Sequence, residues 1–330
     1  MTLPRRRFLT FSLGATLLPA LSHVAQAQAY PTRPITAIVP FAPGGGTDVA
    51  TRIVGDHMSR TLGQQLVVLN IPGAGGTVGS TRAMRAEADG YTILMGQMGT
   101  HVAAIALYPS LAYKPETDFE PIGLVAEAPT VIVARKDFPP KDLKELVAYV
   151  KANAAKLNVA HAGVGSSFFT TCLMLDKVLD AKPTLVPFNG GAPAMNALVA
   201  GQADYMCGDV LTSAPQLNAG TIKAYAIAAP QRSSLLPNLP TTGEAGLGEY
   251  QASTWFALFA PKNTPKPILD RLSAALDAAL DDADVRKRMS EIGNEVPDKA
   301  ARGPEALRAL LKREIARWTP IIKAANVKAE

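Results

Sequence analysis

The sequence predicts an α/β fold with largely parallel sheets. Short apolar runs of strand character alternate with stretches of helical period along the whole chain, and glycine-rich turns sit where the strands hand over to helices. With 330 residues, 48% hydrophobic and 18% charged, the chain is long enough for one large or two ordinary domains, which excludes a disordered chain and a mini-protein scaffold. Cys172 and Cys207 are the only cysteines, and two residues do not make a disulfide framework, so buried free thiols are expected.

Taken in order, Ile35 to Phe41 reads as a buried strand, followed by the turn from Ala42 to Asp48 and a helix with Val49, Ile53, Met58 and Leu62 on one face. The same unit recurs with the strand Gln65 to Asn70, the turn Ile71 to Gly76 and a helix from Thr77 to Ala88. Tyr91 to Met95 is the next strand and ends at Gly96 to His101. A second series opens with the strand Thr130 to Ala134 and a helix from Asp142 to Leu157 that buries Leu143, Leu146, Val147 and Val150. Asn158 to Ala160 leads into Gly163-Val164-Gly165-Ser166-Ser167 and another helix. Leu185 to Phe188 leads into Asn189-Gly190-Gly191-Ala192-Pro193, whose proline suits the first turn of a helix that ends at Gly201. Tyr205 to Cys207 and Lys223 to Ala228 are further strands. Pro267 to Leu280 and Pro304 to Ala324 are amphipathic helices, with Leu307, Leu310, Leu311, Ile315 and Trp318 on one stripe of the second.

Residues 1–29 read as an export signal: basic Arg5-Arg6-Arg7, an apolar stretch from Phe8 to Leu21, and small-residue cleavage sites at Ala25-Gln26-Ala27 or Ala27-Gln28-Ala29. The apolar stretch falls short of the ~20 residues that span a bilayer. Arg5 to Leu9 resembles the twin-arginine consensus, although Pro4 and Thr10 depart from its usual flanks, and predicts a soluble product in the periplasm. Removing the three arginines leaves 30 basic residues against 28 acidic, a net charge of +2, which is no footprint for nucleic acid.

The glycine-rich turns are near misses for nucleotide sites. Gly44-x-Gly46, Gly73-x-Gly75 and Gly163-x-Gly165 place Val49, Val78 and Phe168 where the dinucleotide fingerprint needs its third glycine, and no turn carries Gly-Lys-Ser/Thr. No cofactor is expected. Gly163 to Ser167 is not the Gly-x-Ser-x-Gly of a nucleophile elbow. His57, His101 and His161 lack metal-ligand spacing, so no metal is expected, while His101 and His161 follow strands and could reach a cleft. What the turns share is exposed backbone N–H groups at helix N-termini, where the macrodipole favours an anion. Segments 40–48, 72–80, 163–171 and 189–196 contain no Lys or Arg, so an anion there would be held by neutral donors.

These residues together resemble the substrate-binding proteins of tripartite tricarboxylate transporters, also called the Bordetella uptake gene family. The resemblance covers residues 30–325. It is carried by Tyr30-Pro31-Thr32-Arg33-Pro34-Ile35, Pro40-Phe41-x-Pro43-Gly44-Gly45-x-Thr47-Asp48, Pro72-Gly73-Ala74-Gly75-Gly76 and Asp89-Gly90-Tyr91-Thr92. Gly163-x-Gly165-Ser166-Ser167 and Leu239-Pro240-Thr241-Thr242-x-Glu244-Ala245-Gly246 complete the ordered set.

The resemblance implies a two-lobed periplasmic-binding-protein fold of type II-like plan that closes on a carboxylate, with two chain crossovers between lobes near residues 120–130 and 248–256. Lobe 1 would be 30–125 with 252–330, and lobe 2 would be 126–251. In lobe 1 the implied ligand-binding residues are Phe41, Gly44, Gly45, Gly46, Thr47, Asp48, Gly73, Ala74, Gly75 and Gly76, with Thr100 and His101 added from the third strand's end. From lobe 2, Ser166, Ser167, Asn189, Gly190, Gly191 and Ala192 would face them. Valine at Gly45 or Gly75 is expected to block binding without unfolding the chain.

Two departures from the family pattern matter. Phe168-Phe169 stands where relatives have polar residues, and Cys207-Gly208 displaces the carboxylate to Asp209. Helical spacing assigns Phe168 to the core with Cys172, Leu175 and Leu179 and turns Phe169 towards the cleft, which tilts the expected ligand from succinate or citrate to an aromatic dicarboxylate such as terephthalate. Asp209 is the acceptor an amino acid's ammonium would need. The expected partners are a small organic acid and the membrane permease subunits of the transporter, for a monomeric receptor. Two alternatives are a sensor for a membrane signalling partner and a two-lobed enzyme using Ser166 with His101 or His161.

Overall fold

The computed structural model describes residues 30–233 and 235–324, and from Pro31 onward the chain forms one compact unit. The export signal read at residues 1–29 lies outside the described residues. The first series runs β1 (Ile35–Val39), α1 (Gly46–Leu62), β2 (Leu66–Asn70), α2 (Thr77–Met84) and β3 (Thr92–Gln97). β1 lies between the other two strands and parallel to both, with Ile38 opposite Leu69 and Leu94. α1 stops at Gly63, which takes a φ of 73° and donates its N–H to the Ser59 carbonyl at 3.0 Å, the left-handed ending that glycine permits. After β3 the chain winds through a wide helical turn at Gly99–Ala103 into α3 (Ala104–Leu107), helical structure that the sequence pattern did not predict.

Next come β4 (Phe119–Arg135), α4 (Leu143–Asn153), β5 (Asn158–His161), α5 (Ser167–Leu179), β6 (Thr184–Pro187) and α6 (Gly191–Val199). β7 (Tyr205–Asp209), α7 (Val210–Asn218), β8 (Ile222–Ala228) and β9 (Ser253–Pro261) follow, and α8 (Lys266–Asp281), α9 (Ala283–Glu291), α10 (Lys299–Arg302) and α11 (Pro304–Ala324) end the described chain. Local chemistry fixes several of these starts. Asp142 accepts from the Glu145 N–H at 2.8 Å to cap α4, and Asp282 does the same for α9 from Val285 at 3.0 Å.

Two-lobed architecture follows from β4. Its first part, Phe119 to Pro129, pairs antiparallel with β9, and from Thr130 onward it pairs with β7 and β8 instead. The strand order is β2-β1-β3-β9-β4-β7-β5-β6, with β8 also on β4. The chain therefore passes between lobes at Pro129–Thr130 and returns ahead of Ser253. The outer pairings are parallel as the alternating pattern predicts, whereas β9 and β4 pair antiparallel with their neighbours, because the chain leaves and re-enters the first lobe in opposite directions.

One apolar core runs through both lobes, from Ile38 and Leu94 by way of Leu124 and Ile132 to Tyr205 and Tyr225. A second packs the opposite face of the second sheet around Val131, Val133, Met206 and Ile227. α11 braces β4 and the Gly99–Ala103 turn. It buries Leu307, Leu310, Leu311 and Trp318 as the period predicts, but Glu314 is buried and Ile315 only half-buried, because the carboxylate accepts from the Trp318 indole N–H at 3.0 Å. Both cysteines are free and buried, with the Cys207 N–H donating to Cys172 Sγ at 3.2 Å.

Because β9 and the C-terminal helices complete the sheet that β1 begins, neither half of the chain holds a whole lobe's sheet. Expressed separately, residues 30–165 and 166–330 should be insoluble; a half that is soluble and shows a cooperative melt would contradict this topology.

Candidate ligand-binding cleft

In open α/β sheets, ligands sit outside the carboxyl ends of the strands. Here the C-terminal ends of β1, β2 and β3 from one lobe meet those of β5, β6 and β7 from the other around two adjoining spaces that share Phe41, Ala42 and Ala162 in their walls. The larger, about 470 Å³, lies between the 72–76 loop and residues 162–164 and 187–189. The smaller, about 40 Å³, is nearly filled by protein and lies where helices α1, α5 and α6 begin.

The helix starts differ in a way that bears on an anion. α5 is capped by Ser166, whose Oγ accepts from the Phe169 N–H at 3.2 Å. α1 begins at Gly45 and α6 at Gly190, and no side chain caps either. Their first N–H groups lack helical partners and carry the positive end of the helix dipole. Each such end is worth ~0.3–1 kcal/mol to an anion, up to ~2 when partly buried. Among the described residues, neither wall contains Lys, Arg or His, and Asp209 is the one charged type present.

Most of the residues implied by the sequence come together here. Gly73, Ala74, Gly75, Gly76 and Asn189 border the larger space. Gly45, Gly46, Thr47, Ser166 and Ser167 border the smaller, with Gly190, Gly191 and Ala192 opposite and Phe41 at both. Asp209 reaches it too, with Oδ2 lying 2.8 Å from where a Cβ on Gly46 would stand. Its Oδ1 caps α7 by accepting from the Thr212 N–H at 2.9 Å and hydroxyl at 2.7 Å. Burial pushes its carboxyl above the ordinary range, against the lowering effect of the Thr212 bonds.

Five implied residues do not line either space. Gly44 is exposed, and its N–H donates to Asp48 Oδ2 at 3.0 Å. Asp48 is buried and fully engaged: Arg52 Nε donates to both oxygens at 3.1 and 3.0 Å, and Asn70 Nδ2 donates to Oδ1 at 2.9 Å and to the Phe41 carbonyl at 3.1 Å. It shapes the 41–46 loop from behind. Thr100 Oγ1 is turned back onto the Gln97 carbonyl at 3.1 Å, and the His101 ring stacks on Phe259 with centroids 4.0 Å apart, both fully buried. Phe169 is the fifth. It is 1% exposed and packs on His161 at 5.0 Å between centroids, whereas Phe168 lines the smaller space beside Gly191, so the two rings exchange the roles that helical spacing gave them. The exchange follows from both faces of α5 being buried, one by each apolar core.

Neither His101 nor His161 lines either space. Burial holds His101 down to about 3 and His161 to about 4, the latter against a backbone contact from Gly163, and Ser166 Oγ accepts at its helix cap. Both histidines belong to the packed interior.

Several cleft residues escaped the sequence reading. Tyr108 follows α3 and donates its hydroxyl to the Val164 carbonyl at 2.9 Å, a direct bond between lobes. Phe188, Phe256 and Gln97 also line the spaces. A buried strand ending in a polar residue is the signal that would have found Gln97. The lobes touch at glycine as well: a Cβ on Gly75 would overlap the Val164 carbonyl, and one on Gly99 that of Gly165. Gly75 also has a φ of 61°, so valine there would strain the backbone and pry the lobes apart, contrary to the expectation of a simple block. A Cβ on Gly45 would make only an ordinary contact, with the Ala42 carbonyl oxygen at 3.9 Å.

This geometry agrees with what known proteins show. Residues 50–327 match the tripartite tricarboxylate transporter family receptor. The chain belongs to that receptor family. A UPF0065 protein from the TAR-I ttuE-ttuC' intergenic region of Agrobacterium vitis is 42% identical over 321 residues, 97% of this chain and 92% of that one. Among solved structures, MatC from Rhodopseudomonas palustris with bound malate is 47% identical with a TM-score of 0.85, covering 89% of this chain and 100% of MatC. The periplasmic binding protein BugD is 42% identical with a TM-score of 0.85, covering 91% of this chain and all of BugD. The receptor fold is thereby common to all three. No described helix is long and apolar enough to cross a membrane.

The Asp48 network yields a stability prediction. Burial alone would raise this carboxyl, but Arg52, the Gly44 N–H and Asn70 together hold it below the ordinary carboxylate range. Its contribution is therefore present at neutral pH and lost as pH falls through the depressed folded-state value. Asp48→Ala should cost ~1–3 kcal/mol at neutral pH, less whatever solvent screens from the half-exposed Arg52. In thermal melts the gap between wild type and variant should close in acid; a gap that does not change with pH would contradict the assignment.

Proposed function

We propose that this receptor captures a small dicarboxylate in the periplasm, closes its lobes on it, and presents it unchanged to the membrane permease subunits of a tripartite tricarboxylate transporter, acting as a monomer exported by its twin-arginine signal. In this reading residues 30–125 with 252–330 move as one lobe and 126–251 as the other. The observation that carries it is the meeting of two uncapped helix N-termini, those of α1 and α6, at one small space whose walls hold no cationic side chain. Such a site favours an anion through dipoles and N–H donors and needs no counter-charge. The larger adjoining space leaves room for the rest of a ligand with a second carboxylate.

The malate bound to MatC supports an aliphatic ligand. A second reading, an aromatic dicarboxylate such as terephthalate, draws support from the rings of Phe41, Phe168, Phe188 and Phe256 in the walls, and no longer from Phe169. Ring faces on both sides of a flat spacer would favour it by offset packing.

Calorimetry with L-malate, succinate, citrate, terephthalate and benzoate, at low and at high salt, tests both readings. At least one dicarboxylate should bind wild type, lose little affinity at high salt because a buried site is poorly screened, and be recovered intact by mass spectrometry. Gly45→Val, which places a side chain at the start of α1, should abolish binding while leaving the melting temperature nearly unchanged. Absence of binding by every acid, or turnover of one, would overturn the receptor reading; terephthalate binding tighter than malate would select the aromatic one.

A further inference from the structure

Gln97 closes β3 and is among the residues that line the smaller space. Its backbone is held in place, with its N–H donating to Thr100 Oγ1 and its carbonyl accepting from the same hydroxyl, both at 3.1 Å. The residue is 3% exposed, yet the amide oxygen has no hydrogen-bond partner. Its pairing partner across the sheet is Phe256, whose ring lies against Gly46 and offers no donor. A buried oxygen left in this way costs ~1–3 kcal/mol, and a native chain tolerates such a group where something else completes it.

What completes it must carry a hydrogen. The same small space presents a second acceptor, Asp209 Oδ2, which looks at the start of α1 while Oδ1 is occupied by Thr212. The N–H groups that begin α1 and α6 supply the opposite chemistry and seek an acceptor. Within a volume of about 40 Å³, donors suited to a carboxylate therefore adjoin two oxygens suited to a donor. A plain carboxylate satisfies the first set and leaves the second unpaired. An acid with a hydrogen-bond donor on the carbon next to its carboxylate satisfies both, since that one carbon then carries the two groups.

We propose that Gln97 reads a hydroxyl or ammonium on the ligand carbon adjacent to the bound carboxylate, making the receptor selective for 2-hydroxy or 2-amino acids over the unsubstituted acid. The inference rests on the cleft being a carboxylate site. Asp209 shares the contact, and the amide oxygen makes the discrimination, because an unsubstituted ligand leaves it buried and unpaired.

The test is calorimetry of wild type, Gln97→Leu and Gln97→Glu with L-malate, L-aspartate and succinate, which share a four-carbon dicarboxylate frame and differ only at that carbon. Wild type should bind malate or aspartate about tenfold or more tighter than succinate, and the better of the two tells hydroxyl from ammonium. Gln97→Leu should bring that ratio to within about threefold. Gln97→Glu keeps an acceptor and should preserve the ratio while its added charge weakens all three acids. Succinate binding wild type as tightly as the substituted acids would refute the role of Gln97 and leave the carboxylate reading intact. A ratio that survives in Gln97→Leu, or is lost in Gln97→Glu, would refute it as well. If none of the three acids binds wild type and other carboxylates also fail, the carboxylate reading falls and takes this proposal with it.

Discussion

At the starts of α1 and α6 the backbone N–H groups have neither a helical carbonyl nor a side-chain cap to accept them, and much of the surrounding structure keeps those two helix ends together. Glycine at 45 and 190 supplies helix starts without a capping side chain. Behind the first of them, Asp48 ties Gly44, Arg52 and Asn70 into one network, and Asn70 in turn holds the Phe41 carbonyl. The loop is thus shaped by Arg52 placed outside the cleft, which leaves the cleft wall itself free of cationic side chains. An arginine inside would bind any anion that fitted. Dipoles and N–H groups at a helix start act within about its first turn, so what they hold depends on where the acceptor sits.

The helix ends belong to opposite lobes, and strands join those lobes. The bridging elements have to be long enough to belong to both sheets. β4 does this by exchanging β9 for β7 and β8 at Pro129–Thr130, with register shifts in its β9 pairing at Pro121/Gly123 and Leu124/Ala126 that bend it further. Closure is then held by contacts of small area: the Tyr108 hydroxyl on the Val164 carbonyl, and glycines 75 and 99 against backbone of the other lobe. Such a hydrogen bond is worth a net ~1 kcal/mol.

Much of this was legible in the sequence because it is written in local chemistry. Strand-to-helix units were marked by apolar runs and glycine turns, and the cation-free loops pointed to an anion held by the backbone. What the sequence hid depends on packing from several elements at once. Phe168 and Phe169 are 100° apart on a helix buried all round, so period alone cannot say which ring meets the cleft. His101 looks available at the end of a strand, but the stacking of Phe259 from β9, far along the chain, makes it core. Asp48 sits in a glycine turn that the resemblance assigns to the ligand, yet Arg52, Asn70 and the Gly44 N–H already take its oxygens. Tyr108 carries no local motif, and its bond to the Val164 carbonyl exists only once the two lobes are assembled.

The most direct measurement is a crystal structure of the receptor with a bound dicarboxylate. One carboxylate should lie within hydrogen-bond distance of backbone N–H groups at the start of α1 and at the start of α6, with no Lys or Arg side chain touching it. A carboxylate paired with a cationic side chain, or a ligand seated away from both helix ends, would contradict the account.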